Sequence, residues 1–232
     1  MTNQMYVDGT YLKNNPDWHS EDSEWKSKQI IRIMKKNNIK PKTICEVGCG
    51  AGEILRRLQI KIDKKCDFFG YEVSPDAYKI CKNKTNKRLH FKLKDFTEEK
   101  NCFFDLILII DLIEHLEDYY RFLKQIKSKS KYKIFHIPLD LSVQSVLRQT
   151  PLLKGRKDVG HIHSFTKEII LQILKDLDYE IIDYFYTQVS IETPAKSTLD
   201  YLSRFPRKLL FAVNKDLSVR LIGGYSLMVL AK

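Results

Sequence analysis

Between residues 43 and 138, short apolar runs alternate with segments whose apolar side chains recur every three or four positions, a pattern that predicts strands and helices in succession. Residues 43–47 form the first strand, and Ile54, Leu55 and Leu58 mark the inner face of a helix. A second strand is expected over 67–73. Ser74-Pro75-Asp76 then opens a helix with a capping hydroxyl, a first-turn proline and a first-turn acid. Residues 88–93 predict a third strand, and 103–110 are almost wholly apolar, as a central parallel strand buried on both faces requires. A helix over 119–126 and a fifth strand over 132–137, stopped by Pro138, follow.

The flanks extend the same order. Upstream, Ser20, Asp22 or Ser23 caps a helix carrying Trp25, Ile30, Ile33 and Met34 at helical spacing. Downstream, a helix over 166–177 leads to strands over 179–187 and 225–231. The expected fold is α/β, a doubly wound and mostly parallel seven-stranded sheet in one domain spanning residues 1–232. About forty residues separate the last two strands, and Leu199, Leu202, Leu209, Leu210 and Val213 predict a late helical insertion over 188–223. Together with 139–160 it is expected to wall an acceptor pocket. Residues 1–40 read as an N-terminal cap, either a lid with Trp18 and His19 facing ligand or an anchor docked on the core.

Composition narrows the setting. The 232 residues are 43% hydrophobic, enough for one continuous core, yet no run approaches the roughly eighteen apolar residues of a membrane span. The polar N-terminus lacks the basic start and apolar stretch of a secretory signal, so a cytoplasmic enzyme is expected. Five cysteines without a C-x-x-C pair argue against a disulfide framework or a zinc site. The net charge of +11 raises an RNA partner. Seven Lys or Arg and no acid lie within 77–94, and six and no acid within 121–133, on outer helices and strand starts. These runs lack the interleaved aromatics on which bases stack, so RNA is not favoured.

The chemistry concentrates at strand ends, where an open α/β sheet binds ligands. Behind the first strand runs Val47-Gly48-Cys49-Gly50-Ala51-Gly52, whose glycines permit a tight turn and a close approach to ligand. A dinucleotide fingerprint would need glycine where Glu53 stands, and no Gly-Lys-Ser/Thr ends the loop as a phosphate site would. Glu46 and Glu53 flank the loop, so a cation fits better than a pyrophosphate. Glu72 ends the second strand, placed to accept from ribose hydroxyls; Asp95 and Phe96 follow the third, as an acceptor and an aromatic surface for adenine; Asp111 and Leu112 follow the fourth.

Glu46-Val47-Gly48-Cys49-Gly50-Ala51-Gly52 resembles the E/D-x-G-x-G-x-G motif of class I S-adenosylmethionine (SAM) methyltransferases, and the likeness extends over roughly residues 42–138. It implies a Rossmann-like methyltransferase fold with SAM as cofactor and S-adenosylhomocysteine (SAH) as product. By position, Glu46, Gly48, Cys49, Gly50 and Gly52 would surround the methionine part, Glu72 and Val73 the ribose, Asp95 and Phe96 the adenine, with Asp111 and Leu112 beyond. The implied reaction is in-line methyl transfer to an oxygen or nitrogen of a small or medium-sized acceptor, where alignment supplies most of the catalysis. A base removes the acceptor's proton, a role suited to histidine. His115, in a Glu-His pair after the fourth strand, and His163, before the late helix, lead, with His161 beside them. Asp111-x-x-Glu114-His115 is similar to the ligand set of metal-assisted superfamily members, but Asp is shorter than their Glu and is already claimed by the cofactor, so no metal is expected. Two rival functions are an RNA methyltransferase using the basic surface and a non-catalytic SAM-binding partner subunit.

Overall fold

A computed structural model describes residues 4–6, 8–18, 20–193 and 198–232; His19 lies outside them. Helices α1 (Thr10–Asn14) and α2 (Ser23–Lys36) precede β1 (Thr43–Val47), α3 (Glu53–Lys61), β2 (Asp67–Glu72), α4 (Pro75–Lys82), β3 (Leu89–Leu93), β4 (Phe104–Ile110), α5 (Tyr119–Lys127) and β5 (Ser130–Pro138). After these come α6 (Val143–Arg148), α7 (Thr150–Lys154), α8 (Lys167–Asp176), β6 (Ile181–Thr187), α9 (Val189–Glu192), α10 (Thr198–Val213), α11 (Lys215–Ile222) and β7 (Ser226–Ala231). The strand order is β3-β2-β1-β4-β5-β7-β6. Neighbours among β1 to β5 pair in parallel, whereas β7 runs antiparallel between β5 and β6.

Alternation along each strand divides the core. On β4, Leu106 and Leu108 face one way with Ile30 and Ile33 of α2 and Leu55 and Leu58 of α3, while Ile107 and Ile109 face Phe122 and Leu123 of α5 and Ile170 and Leu174 of α8. Each fully buried side chain of this size contributes about 1.5–3 kcal/mol. Strand order reverses between β1 and β4, and that switch point opens the crevice in which such sheets bind ligands.

Helix α2 straps the molecule's two ends together. Lys36 pairs with Asp183 of β6 at 2.8 Å, and Asn37 donates to the same carboxylate at 2.9 Å. Trp25 and Gln29 both donate to Glu192 of α9, at 2.6 and 3.0 Å. These bonds fix α2, whose first turn brings Ser23 and Lys26 to the crevice wall. Among the described residues, no helix is long and apolar enough to cross a membrane.

Candidate active site

The turn from β1 into α3 is shaped by three glycines at positive φ: Gly48 at 69°, Gly50 at 52° and Gly52 at 71°. Their surroundings give them different roles. A Cβ on Gly52 would sit 2.5 Å from Phe91 Cζ, and one on Gly48 would sit 2.8 Å from Leu112 Cδ1. On Gly50 it would meet only Trp18, at 3.8 Å, so Gly50 is the glycine that bares its backbone toward the crevice. Glu72 ties the loop to β2: one carboxylate oxygen accepts from the Gly50 amide at 2.7 Å, the other from the amides of Val73 and Ser74 at 2.9 and 2.8 Å. Burial raises its pKa against the opposing pull of these three donors.

The crevice encloses about 400 Å³, inside the ~300–1,000 Å³ range of small-molecule sites. At its β1–β2 end Glu46, Gly48, Cys49, Gly50, Glu72 and Val73 line the wall. At its β4–β5 end stand Asp111, Leu112, Glu114, His115, His136 and His161. Tyr6, Tyr11 and Trp18 close one side as a run of touching rings, with centroids 4.6 Å apart for the tyrosine pair and 4.7 Å for Tyr11 and Trp18.

Three acids that face this space differ sharply in charge state. Asp111, itself at φ 49°, accepts from His136 Nδ1 at 2.6 Å and pairs with Lys26 of α2 at 2.8 Å. Burial would raise its pKa, but the charge and hydrogen-bond interactions with His136 and Lys26 outweigh burial and hold the carboxyl well below its usual range. Lys26 shows the converse: burial opposes its charge, and Asp111 overcomes it and raises the ammonium's pKa. His136 is held from its other side, with Nε2 2.9 Å from Thr187 Oγ1. Glu46 and Glu114 have no such matching. Glu46 Oε2 and both Glu114 oxygens are buried without a hydrogen-bond partner. Burial, chiefly, raises the pKa of each well above the glutamate value.

The histidines separate into two groups. The Gly160 carbonyl, 3.0 Å from His115 Nδ1, can only accept, so Nδ1 carries a proton; it is also 2.8 Å from Tyr6 Oη, whose hydroxyl donates to the Val159 carbonyl at 3.1 Å. Nε2 of His115 then lies 3.8 Å from Glu114 Oε1. His161 donates from Nδ1 to Asp140 at 2.7 Å, and its ring meets that of His115 edge-on at 4.9 Å. Ligand atoms of Glu114, His115 and His161 all lie within 4.8 Å of one another, a group that can hold a metal ion. His163 is elsewhere: its Nε2 donates to the Leu116 carbonyl at 3.0 Å and its ring packs on Tyr119.

Asp95 and Phe96 also stand apart from the crevice wall. Asp95 is exposed and caps the short turn Phe96–Glu98 by accepting from the Thr97 amide at 2.8 Å. The Phe96 ring is buried edge-on against Tyr71. Glu53, one of the loop's flanking acids, is matched by Arg56 and Arg57 of its own helix, at 2.6 and 2.8 Å. Sequence reasoning missed Lys26, Tyr6, Tyr11, His136 and Thr187 as crevice residues or their supports. The aromatic density before residue 26 was a signal for the tyrosines, whereas Lys26 is one lysine among many until α2 is placed.

A doubly wound sheet whose glycine turn opens on a crevice at the switch point defines an α/β protein of the nucleoside-binding class. Residues 18–184 match the family model described as a methyltransferase domain, and the chain belongs to that family. Solved structures share the fold at low identity. Magnesium protoporphyrin IX methyltransferase (ChlM) from Synechocystis PCC 6803 with bound SAH superposes with a TM-score of 0.60 at 16% identity, covering 90% of this chain and 82% of that one. The plantazolicin methyltransferase BpumL in complex with SAH gives 0.58 at 17%, covering 98% and 92%. A putative methyltransferase in complex with the Haloferax volcanii Trm112 methyltransferase activator gives 0.66 at 14%, covering 97% and 94%.

Proposed function

We propose that this methyltransferase moves the methyl group of SAM to an oxygen or nitrogen of a small or medium-sized acceptor. One observation carries the reading: a single crevice joins the glycine turn and Glu72 to the Glu114, His115 and His161 cluster. The SAH-bound neighbours support the cofactor. The residues present also fit it: the bare Gly50 backbone admits the methionine part, the partnerless Glu46 oxygen suits its ammonium, and Glu72 keeps lone pairs for the ribose. The acceptor would then lie toward β4 and β5, walled by Tyr6 and Tyr11 from the N-terminal segment, Val159 from residues 139–160 and Val189 from residues 188–223.

In this arrangement the acceptor's lone pair attacks the methyl carbon as the carbon–sulfur bond breaks, leaving neutral SAH. Its proton passes into the cluster, where His115 in the Nδ1–H tautomer presents Nε2 as the basic nitrogen. His161 orients the acceptor from its Asp140-held ring.

Calorimetry with SAH on the wild type and on Gly50→Arg tests the cofactor, and radiolabelled methyl incorporation into small-molecule and RNA panels tests the acceptor class. Micromolar SAH binding that Gly50→Arg abolishes is expected, with label entering small molecules. No SAH binding, or equal binding by the variant, overturns the reading.

A further inference from the structure

Crevice and surface differ in sign. The chain carries +11 overall, yet the crevice is lined by Asp22, Glu46, Glu53, Glu72, Asp111 and Glu114 against a single lysine, Lys26. Most of these acids are accounted for. Arg56 and Arg57 match Glu53, Lys26 and His136 match Asp111, and three backbone amides serve Glu72. Asp22 stands partly exposed at the start of α2. Glu46 and Glu114 are left, each at the crevice wall with a buried carboxyl oxygen that has no hydrogen-bond partner among the described residues, the nearest basic atom to Glu114 being His115 Nε2 at 3.8 Å.

SAM brings one free ammonium, and Glu46 beside the glycine turn suits it. Glu114 belongs to the other end of the crevice, fully buried, and an unmatched carboxyl there is costly unless a ligand supplies the charge. The adjoining wall is aromatic. Tyr6 is fixed by its bonds to His115 and Val159, and Tyr11 and Trp18 continue the ring surface that attracts cations.

We infer that the acceptor is an amine, bound as its ammonium between Glu114 and the Tyr6 ring, so that the methyl group goes to nitrogen. This rests on the methyl-transfer reading above and specifies its acceptor. The ammonium gives one N–H proton to the Glu114 carboxylate, directly or through His115 Nε2 3.8 Å away. The freed nitrogen lone pair forms the new bond to the methyl carbon, the carbon–sulfur pair returns to sulfur, and the products are an N-methylammonium and SAH. A neutral hydroxyl acceptor supplies no charge against which Glu114 can ionise and take up a proton.

The test uses SAH-loaded full-length protein and two matched probes, choline and its uncharged carbon isostere 3,3-dimethylbutan-1-ol, titrated by ligand-observed NMR. Choline should bind at least tenfold more tightly than the isostere, and Glu114→Gln should erase that preference while leaving SAH affinity within twofold. Primary amines should take up label from SAM where the matching alcohols do not. Equal binding of the two probes overturns the inference, as does preferential labelling of alcohols. So does stoichiometric Mn²⁺ binding that depends on Glu114 and excludes choline, because a metal would then be the missing charge. The choline-to-isostere ratio of the wild type needs no variant to fold. If SAH itself fails to bind, the methyl-transfer reading falls; if SAH binds and choline does not, only the amine assignment falls.

Discussion

Glu46→Gln should make the ligand-free protein more stable and the cofactor complex weaker, and the pH dependence of the difference can be worked out in advance. Glu46 is the penultimate residue of β1, with one carboxyl oxygen lacking a hydrogen-bond partner, and burial raises its pKa well above the ordinary 4.5. Between 4.5 and the raised value, the unfolded chain has released a proton that the folded chain still holds. Stability therefore falls as pH rises through this window, by about 1.4 kcal/mol per pH unit for one proton. Glutamine has nearly the same shape and cannot ionise, so it removes the slope; any cost of its unsatisfied amide shifts the curve without tilting it. For each pH unit inside the window the variant gains about 1.4 kcal/mol on the wild type, or roughly 3–6 °C in melting temperature at this chain length. Melting curves from pH 5 to 8, with and without SAH, measure it. SAH should flatten the wild-type slope, because its ammonium lets Glu46 ionise at little cost. Parallel pH profiles for wild type and variant would refute the reasoning.

Gly52→Ala forces a Cβ against Phe91 at a positive φ, so it should lower the urea midpoint by the equivalent of about 1–3 kcal/mol, whereas Gly50→Ala, with no such contact, costs less. Asp111→Asn removes the counter-charge of buried Lys26 and should destabilise by roughly 3–5 kcal/mol at pH 7. The folded pKa of Asp111 is depressed, so its contribution is complete above the unfolded carboxylate value of 3.8 and is lost as pH falls below it; acid titrations of wild type and variant should converge there. Tyr6→Phe deletes the hydroxyl between His115 and Val159 and should lower kcat/KM about fivefold with SAH affinity unchanged, as steady-state kinetics and calorimetry would show.

The parallel half of the fold was legible because its strands are buried on both faces and so read as apolar runs. Residues 103–110 and 132–137 differ from β4 and β5 only at their ends. Helices α6 and α7 carried no readable signal. Val146, Leu147 and Leu153 are more than half exposed, so their apolar positions follow no buried face. At the strand ends, sequence assigned roles by residue type, and type alone does not tell a ligand contact from a packing constraint. Gly52 makes room for Phe91, Asp95 caps a turn, and Phe96 fills the core. Glu114 became informative only once its carboxyl proved to be buried without a hydrogen-bond partner, a tertiary fact that no spacing encodes.

The position of β7 bears on how the site is made. Although it is the seventh strand in order, β7 is an interior strand of the sheet, with β5 on one side and β6 on the other. During synthesis, β6 therefore has no sheet to join until β7 has left the ribosome. The α2 strap depends on the same event, since Lys36 and Asn37 bind β6 and Trp25 and Gln29 bind α9. A growing chain can assemble the glycine turn early, yet α2, which brings Lys26 to Asp111, has partners on β6 and α9 that are translated after all five parallel strands. Competence to bind ligand thus waits on β7, and a translation product truncated before that strand would have the glycine turn without the strap that α2 makes to β6 and α9.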